Sequence, residues 1–189
     1  MKNLFTALRR LGRSLDIAES KNEKKDKVSK PDVKVVHGGL QVLYNPIEGE
    51  IIDLSNVPEG AFSGKLLGDG FAVVPTGSTV YSPTDGEVIV LFPTKHAVVI
   101  LTEKGIEVLI HVGINTSSLN GEGFIVHVEK GVKVKKGDLL ITFDNEIVKK
   151  NGKSLISPII ITNTNVVKKL SVDLGNKKVL EKAAEIEIL

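Results

Sequence analysis

The sequence predicts an all-β protein: a single antiparallel β-sandwich or barrel-like domain with only short helical turns. Short runs rich in Val, Ile and Leu recur along the chain, each closed by Gly or Pro turns. The best-defined run, Ile106 to Gly113, alternates strictly between two faces. Stretches that favour helix are few and short, and the spacing of the strands suits a sandwich or barrel.

Before the β pattern begins, residues 2–15 contain no acid, and Leu4, Leu8, Leu11 and Leu15 recur at helical spacing with Phe5 beside them. Lys2, Arg9 and Arg13 lie off that stripe, the pattern of a helix on an anionic membrane surface. Residues 1–18 are therefore read as a basic amphipathic segment, although Arg-rich, acid-poor N-termini also serve as organellar transit peptides. Gly12 lowers its intrinsic helicity by roughly 1 kcal/mol relative to Ala. Residues 19–38 are rich in Lys, Glu, Asp and Ser and read as a solvated linker, with His37 a bystander. The domain proper spans 39–189.

Strands fit Gly49–Leu54, Gly70–Pro75, Gly86–Leu91, Gly123–His127 and Leu139–Phe143. Asn45-Pro46 to Ile51 echoes Ser82-Pro83 to Val88, a Pro turn and a Gly before an alternating strand. Asp144 is placed to cap a short helix to Lys150, with Lys149 and Lys150 at its end and Gly152 beyond. Asn163–Leu170 is expected to form a helical turn or two, and Glu185 to Ile188 a final strand. Gly131 to Leu140 resembles the turn and strand of biotinyl and lipoyl carriers, without the tight lysine-bearing turn those carriers modify.

The central element is a hairpin from His96 to Gly113 around Glu103-Lys104-Gly105. Ile106, Val108, Ile110 and Val112 share the core face; Glu107, Leu109, His111 and Gly113 share the other. A two-residue loop, at either Lys104-Gly105 or Glu103-Lys104, puts His96 and His111 on one face. A three-residue loop without a bulge would split them. Thr94 lies two residues before His96. Two facing imidazoles suit a metal, or nucleophilic phosphoryl transfer, since neutral imidazole is a competent nucleophile near pH 7. Two unremarkable surface histidines are the plain alternative.

Phe92-Pro93-Thr94-Lys95-His96-Ala97, Gly105 to Ile114 and Leu119 to Phe124 resemble the IIA component of the glucose family of the bacterial sugar phosphotransferase system. Gly68 to Gly77, Ser82 to Val88 and Val134 to Asp138 agree with it, and the similarity runs from about Gly39 to the C-terminus. The resemblance implies a phosphotransferase component with a phosphohistidine at His111, assisted by His96 and Thr94. It implies HPr as phosphoryl donor and a cysteine on the IIB domain of a glucose-family permease as acceptor, with regulatory target proteins as further partners. No P-loop is present, so the donor is expected to be a phosphoprotein and no cofactor is required. IIB and IIC are expected on separate polypeptides.

Positions matching the family's apolar docking rim are Phe62, Leu66, Leu67, Phe92 and Leu109, with Asp69 in a loop near the active face. Leu109 also has outward parity. Asn115 and Ser118 stand where family members often carry acids, a change expected to weaken steering or shift partner choice. His127 is assigned no role. The alternative class is a zinc-binding hydrolase using His96 and His111. Catalytic zinc takes three protein ligands and only two are on hand, so transient zinc would need a partner's carboxylate. A regulatory binding protein without turnover, signalling through the state of His111, is a third reading.

Composition bounds the setting. At 189 residues with 41% hydrophobic content the chain can bury a core. It has no Cys, which suits a reducing cytoplasm, and no apolar run near the roughly 18 residues of a span or the h-region of a secretory signal. The expectation is a cytoplasmic protein, peripheral to the inner membrane face through residues 1–18. Residues 1–37 hold ten Lys/Arg against five Asp/Glu, and the remainder fifteen against eighteen. The positive charge thus lies off the folded part, which argues against nucleic acid as a partner.

Overall fold

The computed structural model describes residues 38–189. The amphipathic segment 1–18 and the linker up to residue 37 lie outside the described residues.

Fourteen strands follow in chain order: β1 (Gly39–Tyr44), β2 (Gly49–Asp53), β3 (Asp69–Pro75), β4 (Thr79–Tyr81), β5 (Gly86–Leu91), β6 (Ala97–Thr102), β7 (Glu107–His111), β8 (Phe124–Val126), β9 (Lys133–Val134), β10 (Leu139–Phe143), β11 (Ser157–Ile161), β12 (Val167–Val172), β13 (Gly175–Lys177) and β14 (Lys182–Ile188). Helix α1 spans Gly60–Ser63 and helix α2 spans Asn145–Lys150. All pairings among the described residues are antiparallel. One eight-stranded sheet runs β13-β2-β3-β11-β7-β6-β5-β9, and two three-stranded sheets run β1-β14-β12 and β4-β10-β8. The all-β expectation holds, with every expected strand present, most within a residue or two and the last starting three residues early, at Lys182.

Asp144 caps α2 as expected, its carboxylate accepting from the amides of Glu146 and Ile147. The second expected helix is corrected. Only Thr164–Val166 forms a 3-10 turn, and Val167–Val172 is a strand on β14. Val167, Leu170 and Val172 pack against the main core, so burying them outweighs the local preference that suggested helix.

The core explains the site. Val108, Ile110 and Val112 enter the main cluster with Val98, Ile100, Ile159 and Ile161. Leu109, on the opposite face of β7, enters a second cluster with Leu54, Val57, Phe62, Leu67, Ala97 and Val99. The chain from Leu54 to Leu67, including α1, lies over the face that strand parity points away from the main core. Both faces of β6 and β7 are therefore covered, and a strand buried on both sides gives rigid support to what it carries.

Candidate functional site

The β6–β7 turn is a three-residue loop. Ala97 pairs His111 and Leu101 pairs Glu107, the Thr102 amide donates to Ile106 O, and Gly105 closes the loop at φ +79°. Strand alternation in this register would separate the two histidines, yet their ring centroids lie 4.6 Å apart at 78°. The reason is local. His96 stands one residue outside β6, after Lys95 at φ +60°, although its carbonyl still accepts from the Val112 amide at 2.8 Å. Outside the regular strand, the alternation that fixes side-chain faces no longer governs His96. The two-residue loop is thus corrected, while the meeting of the rings is observed.

Thr94 reaches the site from the turn before His96, not from an extended strand. Its Oγ1 lies 2.8 Å from His96 Nδ1. His111 Nδ1 lies 2.8 Å from Gly113 O. A carbonyl only accepts, so Nδ1 carries the proton and Nε2 keeps the lone pair. His96 Nε2 is buried and has no protein partner. Phe62 stands edge-on to His111 at 5.2 Å and Phe92 edge-on to His96 at 5.5 Å.

The rim expectation is corrected in part. Phe62, Leu67 and Leu109 are 1%, 4% and 1% exposed, core residues of the second cluster. Parity correctly placed Leu109 on the histidine face, but the Leu54–Leu67 segment covers it. Leu66 is 61% exposed, and Phe92 is partly buried against the second cluster. Asp69 is half-buried at the start of β3 and pairs with Lys65 at 2.9 Å. His127 is remote from the pair in its bonding, with Nε2 3.0 Å from Thr142 Oγ1.

Burial fixes the charge state of the pair. Desolvation, with the neighbouring His111, pushes His96 down to about 2. Desolvation also pushes His111 down to about 4, opposed by its bond to Gly113. Both are neutral at pH 7. The unfolded chain protonates each near 6.5, so between that value and the folded ones it binds more protons than the native state does. Stability therefore rises with pH across this window and falls as acid is added below about 6.5. Between pH 7 and 5 the loss is expected to be roughly 2 kcal/mol per histidine. Urea unfolding at both pH values should show it in the parent and much less in the His96→Gln/His111→Gln variant. Equal pH dependence in the two proteins would contradict a neutral buried pair.

Two Nε2 atoms are one ligand short of a catalytic zinc site. Among the described residues there is no group of three or more His, Cys, Asp or Glu placed to hold a metal. The zinc-hydrolase alternative is not supported.

The fold and site together define an antiparallel β protein presenting a neutral, oriented imidazole beside a second one. Residues 41–167 match the family model described as phosphoenolpyruvate-dependent sugar phosphotransferase system, EIIA 1. The chain belongs to this family: it is a glucose-family IIA component, a phosphotransferase that carries phosphoryl groups between proteins. It is 46% identical over 140 residues to the glucosamine-specific EIICBA component of the phosphotransferase system of Bacillus subtilis (strain 168). That match covers 74% of this chain and 21% of the relative, so the chain spans about a fifth of that protein's length. The glucose permease IIA from Mycoplasma capricolum superposes with a TM-score of 0.75 at 38% identity, covering 78% of this chain and 96% of that one.

Sequence reasoning missed Gly113 as a functional position. Its signal was a glycine two residues after a strand histidine, where the chain must turn back toward the ring. It also missed β11, because Ser157-Pro158-Ile159-Ile160-Ile161 is a continuous apolar run after a Pro, without alternation.

Proposed function

We propose that His111 accepts a phosphoryl group through Nε2 from phospho-HPr and passes it to a cysteine thiolate on the IIB domain of a glucose-family permease. The observation that carries this reading is the His111 Nδ1–Gly113 O bond beside the His96 ring. The Nε2 lone pair attacks phosphorus as the donor's phosphorus–nitrogen bond breaks, and the electron pair leaves with the donor imidazole. The phosphorylated ring keeps its Nδ1 proton, and Gly113 O offsets the positive charge that the ring acquires. Onward transfer reverses the roles: the thiolate attacks, and the pair in the P–Nε2 bond returns to His111. With the Thr94 hydroxyl donating to Nδ1, His96 presents Nε2–H to a phosphoryl oxygen. Incubation with phosphoenolpyruvate, Enzyme I and HPr should add one acid-labile phosphate by intact mass. No mass increase would refute the reading.

The Leu66 side chain and the half-buried Phe92 and Asp69 are the accessible part of the partner surface. Residues 39–189 act as the phosphocarrier domain in the cytoplasm, residues 1–18 as a peripheral membrane contact and 19–38 as their tether. Among the described residues no helix is long and apolar enough to cross a membrane. Deleting 1–18 is expected to leave acceptance from soluble HPr intact and to weaken binding to anionic vesicles, most clearly at low salt. Vesicle binding that survives the deletion unchanged would remove the membrane role.

A further inference from the structure

Gly113 is the hinge on which His111 depends, and its backbone is held on every side. It sits at φ +72°, and a Cβ there would lie 2.6 Å from Thr116 Cγ2 and 2.7 Å from Ser154 O. In the peptide plane before it, Val112 O accepts from Thr116 Oγ1, and the Gly113 amide donates to Ser157 Oγ at 3.1 Å. In the plane after it, the Ile114 amide donates to Ser154 O at 2.9 Å, and Gly113 O accepts from His111 Nδ1 at 2.8 Å.

The neighbouring strand creates this arrangement. The β7–β11 ladder ends at the Ile110–Ile159 pair. The next residue of β11 toward Gly113 is Pro158, whose nitrogen has no hydrogen to donate. Ser157 then contributes its side chain instead. Its Oγ accepts from Gly113 and donates to Leu155 O at 2.8 Å, so both its hydrogen-bonding roles are committed. Ser157 and Thr116 are both fully buried. Neither touches a reacting atom in the proposed transfer.

We propose that Ser157 and Thr116 are positioning residues for phosphoryl transfer. Holding the Val112–Gly113 peptide from its two sides, they keep the Gly113 carbonyl on His111 Nδ1 and thereby keep Nε2 the unprotonated, nucleophilic nitrogen. A free imidazole exchanges its proton between the two nitrogens, and the tautomer with Nε2–H has no lone pair to offer phosphorus. The same carbonyl faces the ring when it turns cationic on phosphorylation, so a displaced Gly113 slows transfer in both directions. This rests on the reading of His111 as acceptor.

The test has two readouts, applied to the full chain. Long-range proton–nitrogen NMR at pH 7 reports which nitrogen of the His111 ring carries the proton. Rapid-quench phosphorylation by phospho-HPr, with HPr concentration varied, separates the maximal rate from the half-saturating concentration. In the parent, His111 should be the Nδ1–H tautomer. Ser157→Ala and Thr116→Val should show mixed tautomers and a maximal rate lower by about tenfold to a hundredfold. Half-saturation should not move, because neither residue is at the surface. Thr116→Ser keeps the hydroxyl and should restore both readouts, which separates the effect from general loss of packing. Should Ser157→Ala fail to fold, the contrast between Thr116→Val and Thr116→Ser decides. A single Nδ1–H tautomer and a parental maximal rate in the hydroxyl-deleted variants would overturn the proposal. So would lowered stability without any tautomer change. The tautomer readout does not depend on phosphorylation, so failure of the acceptor reading appears separately, as phosphate retained by His111→Gln.

Discussion

His111→Gln should accept no phosphoryl group from phospho-HPr. The amide nitrogen of Gln is conjugated to its carbonyl and has no basic lone pair, so nothing at that position can attack phosphorus. His96 offers no substitute: it is fully buried, whereas His111 keeps 4% exposure. The loss should therefore be complete, not a slowing. The variant should still fold, because Gln is also neutral at pH 7 and can donate to Gly113 O in place of Nδ1–H. Intact mass after incubation with the phosphoenolpyruvate-driven donors checks it. One acid-labile phosphate on the variant would move the acceptor elsewhere.

His96→Gln should charge normally and discharge slowly. Gln retains a donor that can hold a phosphoryl oxygen, so acceptance from HPr survives. Onward transfer moves charge from the His111 nitrogen toward the permease thiolate, and there a group able to become positive matters. His96 is held neutral in the resting protein by burial and by His111. A phosphoryl group on the adjacent ring reverses the second of these influences, since its negative charge favours imidazolium. His96 Nε2 already carries its proton in this arrangement, so the second proton goes to Nδ1, with the Thr94 hydroxyl turning to accept from it. An amide cannot take it. Losing one such stabilising interaction typically costs 10²–10³-fold in rate, about 2.7–4 kcal/mol. Rapid-quench measurement of both half-reactions distinguishes the cases. Equal slowing of the two steps would mean that His96 only shapes the site. Unchanged rates would mean that the two histidines do not act as a pair.

Much of this protein is legible in the sequence alone, because the information is local. Period-2 alternation assigned Ile106, Val108, Ile110 and Val112 to the core and His111 to the opposite face, and the turn residues marked the strands around them. Asp144 as a cap was legible for the same reason: a cap acts within three residues of itself. The identity of the carrier histidine rested on the resemblance, since alternation treats His96 and His111 alike. What tertiary structure alone decided depends on segments distant in sequence or on a single backbone angle. Leu109 has the parity of a surface residue, yet Leu54 to Leu67 folds over it, and no periodicity within β7 records what covers its second face. Strand parity in the observed register would have parted the histidines, and they meet because His96 lies outside the regular strand β6. The depressed pKa values follow from burial and, for His96, from the adjacent His111, which only the assembled fold provides. Ser157 became relevant to His111, 46 positions earlier in the chain, only when β11 lay beside β7 and Pro158 ended their ladder, leaving the Gly113 amide to a side-chain hydroxyl.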